Sequence, residues 1–556
     1  MHKSNILTGA IFLFCLSQIP FGTFSQAVQV EGNAFLEDQT YHNGIMIAFE
    51  RFAPQYLYDT AYSDSAGYYS IQLEQGMYNI SYSKQGFLDL ELEGVPVYSD
   101  LTLPDTILEQ VVLSGSLSGV LESGTYTITW SIRIDPGDTL LIEPGTTLLF
   151  KDSTNFFIHG MLIAEGTVND SILFTRFNEQ NTWLGIVFGS TSNDNSVISY
   201  AAIEYCNAHG LSINDCSPQI HHSAIRYNQN HQWQMQGGGV YIYNSDAMLY
   251  DLSIYKNNAV SGGGIYLKVV TEYPGESYKT IVSNCQIFEN TADNGSGIYF
   301  EIWNYSGVTK YPLLINSTVA RNYTGSAVST TESCLPNMIN NIIAYNEGYG
   351  VESPLGCIRY FGYNDVSHNT AGNFYNPPEW IGENITVNEN GDSCDAYHNI
   401  LVDPLFKNLQ ENDFHLGLNS PCIDAGLNDS VVNSTDYDGN PRILFCANSL
   451  TVDMGAYETL PVGIAHIRQD ENEGLIIAPN PASEWIQIII PGICLNERCI
   501  LFIFNSSGVM IEQLFYENMA DNFKINVRNY PPGLYLAALW KDGSVVVQGK
   551  FFVRPW

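Results

Sequence analysis

Three ionisable residues share one position of a recurring pattern. Lys256, Glu289 and Arg321 each stand immediately before an Asn, in Ile254-Tyr-Lys-Asn257, Ile287-Phe-Glu-Asn290 and Val319-Ala-Arg-Asn322. Tyr205, Tyr227, Tyr345 and His368 hold the same position in neighbouring copies. A Lys or Arg here could serve as a general base. A Glu could act in glycosidic hydrolysis only with a second carboxylate across a groove. No such partner for Glu289 is evident, nor an acidic cluster to hold a metal beside the column. The plainer expectation is a ladder of alternating ion pairs, worth little energy at a surface.

A second chemistry is carried by aromatic insertions. Thr271 to Thr280 and Trp303 to Pro312 are extra segments at the same point of adjacent repeats, and Gln229 to Gln236 is a third. They hold Tyr273 and Tyr278, then Trp303, Tyr305 and Tyr311, then His231 and Trp233. Aromatic rings with a polar edge suit sugar rings, or else they shield a sheet edge. Metal chemistry has weaker support. Asp436, Asp438 and Asp453 could offer oxygens to Ca²⁺, but without EF-hand spacing, and they could equally cap turns. His221 and His222 are adjacent on an expected strand, so their side chains should point to opposite faces and not share an ion.

The repeat itself positions these residues. A branched aliphatic followed three residues later by Asn occurs as Ile225/Asn228, Ile254/Asn257, Ile287/Asn290, Val319/Asn322, Ile343/Asn346 and Val366/Asn369. Ile203-Glu-Tyr-Cys206 is a degenerate first copy, and the aliphatics lie 22, 29, 33, 32, 24 and 23 residues apart. Glycine-rich stretches lead into further strands at Gly237-Gly-Gly-Val-Tyr241, Gly262-Gly-Gly-Ile-Tyr266 and Gly295-Ser-Gly-Ile-Tyr299. One object explains this: a right-handed parallel β-helix with three short strands per coil, spaced by about 4.8 Å. Aliphatics fill a shared core, and Asn marks a bend, where it tolerates left-handed backbone and bonds the Asn of the next coil. The expected class is all-β, a solenoid over residues 111–460 flanked by two small β-sandwiches.

Bulk composition agrees. Hydrophobic residues make up 45% of the 556 and charged residues 14%, enough for a large core. Lys and Arg number 22 against 58 acidic residues, a net charge of −36, which disfavours nucleic acid and anionic membranes as partners. His2 and Lys3 precede an apolar run from Ile6 to Leu16, with small residues at Thr23 and Ser25: a signal peptide over residues 1–25. Ten cysteines remain after its removal; Cys394 with Cys422 or Cys494 with Cys499 could bridge, while Cys206 and Cys285 read as buried small hydrophobes.

Three resemblances follow. Residues 26–110, with Val30-Glu-Gly32, the Asp64-to-Tyr69 turn and Gly76-Met-Tyr78, resemble a carboxypeptidase regulatory-like domain, which implies a non-catalytic spacer. Residues 112 to 458, closing on Ser420-Pro-Cys-Ile-Asp-Ala-Gly426 and Asp453-Met-Gly-Ala-Tyr-Glu458, resemble secreted pectin-lyase-like β-helix proteins. After a linker over 461–474, residues 475–556 resemble a type IX secretion sorting domain of type A, through Ala478-Pro-Asn-Pro481, Pro531-Pro-Gly-Leu-Tyr535 and Gly549-Lys-Phe551. That resemblance implies a Gram-negative host, Sec export, contact with the type IX machinery, and release or attachment to surface lipopolysaccharide. The expected protein is a monomeric surface or secreted binder of polysaccharide, or an adhesin. The alternatives are a polysaccharide lyase with Lys256 or Arg321 as base and Ca²⁺ as aid, a glycoside hydrolase, and a purely structural component.

Overall fold

The computed structural model describes residues 27–443, 451–459 and 475–554, apart from positions 38, 85, 231–235, 272, 274–276, 304–309, 332–335, 355–357, 490–498, 506–508, 517–521 and 542–543. The expected signal peptide, the linker, Cys494, His231, Trp233 and Tyr305 lie outside the described residues. Two compact units divide the chain, residues 1–111 and 112–556.

Unit one is a pair of sheets. Ala27–Leu36 pairs antiparallel with Tyr68–Glu74 and parallel with Leu101–Thr102 and Thr106–Leu108, while Met46–Ala53 lies between Leu57–Tyr62 and Gly76–Ser83. Strict alternation in Ala27–Leu36 buries Val28, Val30, Ala34 and Leu36 against Ile47, Phe49 and Tyr82. In the turn between Leu57–Tyr62 and Tyr68–Glu74, Asp64 Oδ1 accepts from the amides of Ala66 and Tyr68 at 2.9 and 3.0 Å.

Unit two contains the right-handed parallel β-helix. Each central coil contributes three strands: a long one such as Val240–Tyr243, a middle one such as Met248–Tyr250, and a short one such as Ser253–Tyr255. The middle strands form one ten-stranded parallel sheet from Gly119–Leu121 to Tyr360–Gly362. In the short strands Ile203, Ile225, Ile254, Ile287, Val319, Ile343 and Val366 are partners in unbroken register, each wholly buried. At roughly 25 cal/mol per Å² of apolar surface, this continuous column drives the stacking.

The bend after each short strand departs from expectation in one respect. The left-handed residue is not the Asn but the residue before it. Tyr205, Tyr227, Lys256, Glu289, Arg321, Tyr345 and His368 take φ between 53° and 61°. Such a φ costs a residue with a Cβ about 1–2 kcal/mol. The kink turns that side chain outward and swings the next one into the core. There the asparagines form a ladder. Asn290 Oδ1 accepts from Asn257 N and Nδ2 at 3.1 and 3.0 Å; its Nδ2 donates to Asn322 Oδ1 at 3.1 Å and to the Ile254 carbonyl at 2.9 Å. The same bonds repeat from Asn228 to Asn369, and the Cys206 amide donates to Asn228 Oδ1 at the start.

A second bend, between middle and short strands, follows the same rule. His222, Asp251, Asn284, Asn316, Asn340, Tyr363 and His398 are left-handed. Behind them Asn341, Asn364 and Asn399 form a shorter ladder that ends on the Asp395 carboxylate, whose Oδ1 accepts from Asn399 N at 3.0 Å.

The last part of the solenoid region folds back over the short strands. Phe414, Ala456 and Tyr457 pack on Phe288 and Ala320, while Leu416, Ile423 and Met454 pack on Ile342 and Ala344. Cys394 and Cys422, a candidate disulfide on spacing, are separate buried thiols, because both serve as small core residues of that layer. The C-terminal residues form two antiparallel sheets, Trp485–Ile489 with Ile476–Ala478 and Asn522–Asn526, and Cys499–Asn505 with Met510–Tyr516, Gly533–Lys541 and Ser544–Val553.

Replacing Asn290 with Ala strips two partners from Asn257 and one from the Ile254 carbonyl in a dry core. Unfolding of the solenoid by urea should register a loss of about 3 kcal/mol or more, given the cost of orphaned buried polar groups. Asn294→Ala, at an exposed position with one long side-chain bond to Ser261, should cost far less. Equal losses at the two positions would contradict the ladder's role.

Candidate functional site

The charged column sits where the repeat places it. Glu289 lies between its neighbours, with Oε1 3.2 Å from Arg321 and Oε2 3.6 Å from Lys256. Arg321 Nη1 also donates to the Leu409 and Gln410 carbonyls, at 2.5 and 3.1 Å, so it fastens the folded-back segment to the coil. A guanidinium committed to two carbonyls and a carboxylate acts here as a clamp. Lys256, with its side chain about half exposed, also lies over the Tyr227 ring.

Among the described residues, the aromatics of the insertions differ in setting. Tyr278 packs against the core, and the Tyr311 ring lies 4.1 Å beneath the Arg359 guanidinium. Tyr273 and Trp303 are exposed, at 64% and 53%. Trp303 ends the strand Ile298–Trp303 and pairs in register with Val270.

Trp303 belongs to a cluster on the outer face of the long strands, and most of that cluster was missed from sequence. Alternation along Ile298–Trp303 turns Ile298, Phe300 and Ile302 inward and Tyr299, Glu301 and Trp303 outward. Register then places Tyr241, Tyr266 and Tyr299 in one column, and Tyr243, Lys268 and Glu301 in the next. The tyrosines stack with centroids 5.7 and 5.1 Å apart, continuing from His209. Each is preceded by a glycine of positive φ, and a Cβ on Gly262 would stand 2.7 Å from the Tyr266 Cβ.

Glu301 organises the cluster. It accepts from the Tyr266 hydroxyl, from Lys268 Nζ at 3.0 Å and from the Trp303 indole N–H at 2.9 Å. Burial opposes its charge, but these three donors hold its carboxyl below the usual range. Burial and the bond to Glu301 push the Tyr266 hydroxyl upward, so it stays protonated as a donor. The cluster therefore presents a fixed indole and a neutralised ion pair, underlain by buried Tyr266. Its register signal was in the Gly-x-Gly-[Val/Ile]-Tyr motif, one strand upstream of the insertions.

The carboxylates proposed for Ca²⁺ have other work. Asp436 accepts from the amides of Asp438, Asn440 and Glu458; Asp453 accepts from those of Asp424 and Thr459. Asp438 accepts from His415 Nε2 at 2.8 Å. Among the described residues no group of three or more His, Cys, Asp or Glu is disposed around a metal position. Nearby, sequence reasoning overlooked Arg442: its guanidinium, 1% exposed, pairs with Glu458 at 2.7 Å and donates to Asn284 Oδ1 and the Gly455 and Ala456 carbonyls. At the end of the coil stack a cleft of ≈ 250 Å³ is lined by Tyr363, His398, Glu389, Asp424 and Asp429, an acidic and polar surface.

His221 and His222 also differ from expectation. His222 is left-handed, which breaks the alternation, and the two rings meet on one side with Nδ1 atoms 2.9 Å apart.

Residues 476–554 match the family model of the secretion system C-terminal sorting domain. The protein is secreted or displayed at the cell surface. Its sorting domain engages the type IX secretion machinery. No curated protein matches the chain. Two solved structures similar to part of it are type II cohesin–X-dockerin complexes from Acetivibrio cellulolyticus, an N-terminal and a C-terminal interface mutant. Identity is 21% and 22%, TM-score 0.13 for each, over 15% of this chain and 58% and 56% of those chains. The chain thus spans little more than half the length of either.

Buried acids on the folded-back segment predict a pH dependence. Burial pushes Asp453 up to about 7 and raises Glu458, and Asp438 with Asp413 raises His415. A folded pKa above the unfolded one gives stability that is lost as pH rises through the folded value. The melting temperature of the solenoid should therefore fall as pH climbs through about 7, with a shallower fall in Asp453→Asn. A pH-independent melting temperature between 5 and 8, or an unchanged slope in the variant, would refute this account.

Proposed function

We propose that the exported β-helix binds carbohydrate through the outer face of its long strands and performs no chemistry on it. One observation carries the reading: Trp303 is exposed while its indole is held by Glu301, itself fixed by Tyr266 and Lys268. A pre-oriented ring loses little entropy on stacking against a sugar. The stacked tyrosines occupy one another's faces, and Tyr266 is buried with its hydroxyl on Glu301, so the stack supports the surface rather than supplying a platform. Tyr273 supports the reading as a second exposed ring on the segment that follows the strand paired with Trp303's. Pairing of Lys268 with Glu301 leaves the surface suited to a neutral glycan. Because the Glu301 oxygens are committed to three donors, it positions Trp303 rather than attacking a substrate.

In this reading residues 26–110 are a carboxypeptidase regulatory-like spacer, export begins through Sec in a Gram-negative cell, and the monomer is released or held on lipopolysaccharide. A chain ending before residue 476 should stay inside the cell envelope, detectable by fractionation.

Affinity electrophoresis in a panel of neutral polysaccharides tests the binding. Trp303→Ala should weaken retention at least tenfold, about 1.4 kcal/mol, and no reducing-end or unsaturated products should form. Undiminished binding by Trp303→Ala and Tyr273→Ala together would remove this site, and product formation would make the protein an enzyme.

A further inference from the structure

We propose that His221 and His222 chelate a divalent late first-row transition-metal ion, with Cu²⁺ and Ni²⁺ preferred over Zn²⁺. The pair lies at the bend between the middle strand Gln219–His221 and the short strand Ala224–Arg226. Their Nδ1 atoms stand 2.9 Å apart and share a ring-to-ring hydrogen bond, whose proton an ion bound to both nitrogens displaces. Imidazole nitrogens bind such ions at about 2.0–2.1 Å, so two at right angles are separated by about 2.9 Å, and two at a tetrahedral angle by about 3.3 Å. The spacing therefore fits the adjacent positions of a square-planar or tetragonal ion.

Both rings are braced for this role. Tyr250 stacks on His221 at 4.6 Å and Tyr200 on His222 at 4.8 Å. The opposite nitrogen of His222, Nε2, faces the Asp251 carboxylate at 3.5 Å, and Asn284 Nδ2 holds that carboxylate at 3.0 Å. Asp251 thus favours a proton on His222 Nε2 and a lone pair on its Nδ1, as outer partners of metal-bound histidines do. Half-exposed rings leave the remaining positions to water. The site is independent of the carbohydrate reading.

Titration of the full chain with CuCl2 or NiCl2 by calorimetry should give one site that His221→Ala and His222→Ala each weaken at least tenfold. ZnCl2 should bind more weakly, and His159→Ala should change nothing. Paramagnetic resonance of the Cu²⁺ form should show two equivalent-type nitrogen couplings that the double variant loses. Should a variant misfold, Cu²⁺ must still protect His221 and His222 of the unaltered chain from diethyl pyrocarbonate, read by mass spectrometry. Equal Cu²⁺ affinity in the double variant, tighter Zn²⁺ binding, or absence of that protection overturns the proposal.

Discussion

Most of this architecture rests on the amide-to-amide hydrogen bond between asparagines of successive coils. A solenoid must turn its chain sharply at every coil, and each turn leaves polar backbone groups inside a dry core. Asn meets this demand with one side chain. Its oxygen takes two donors from the coil before, while its nitrogen serves the coil after and a carbonyl of the coil before. Every rung from Asn257 to Asn346 is satisfied this way, which offsets the strain of a left-handed residue at each bend.

The ladder also explains where variation is tolerated. The left-handed residue in front of each Asn points outward, so the fold asks little of its chemistry. Tyr, Lys, Glu, Arg and His all occur there. Arg321, braced by Glu289, is recruited to hold the folded-back segment, together with buried Arg442. The long strands, on another side, are left to carry the Tyr266–Glu301–Trp303 cluster. Scaffold, clamp and surface thus occupy separate faces of the same coils.

How much of this was legible in the sequence depended on whether a position demands one residue type. The ladder demands Asn, and its spacing exposed the β-helix. The glycines before Tyr241, Tyr266 and Tyr299 were equally visible, because no Cβ fits. The left-handed positions were assigned one residue late, since outward side chains carry no common signature. His222 was misread for the same reason: a bend hidden behind ordinary residues reversed its direction. Lys268 and Glu301 became neighbours only through register between strands 33 residues apart, which no local pattern encodes. Arg442 and Glu458 were illegible because their partners are distant coils.

The Asp395 carboxylate has one more consequence. Every rung of its row hands a hydrogen to the rung that follows, so a row ending on Asn would offer unused hydrogens to any strand arriving at the open end of the stack. Asp395 has none to offer, and its oxygens already accept from Asn399, Tyr397 and Gly382. At this bend the row ends on an acceptor: a second copy laid end to end would meet no side-chain donor from it. A periodic structure with no built-in length thereby acquires a defined last coil.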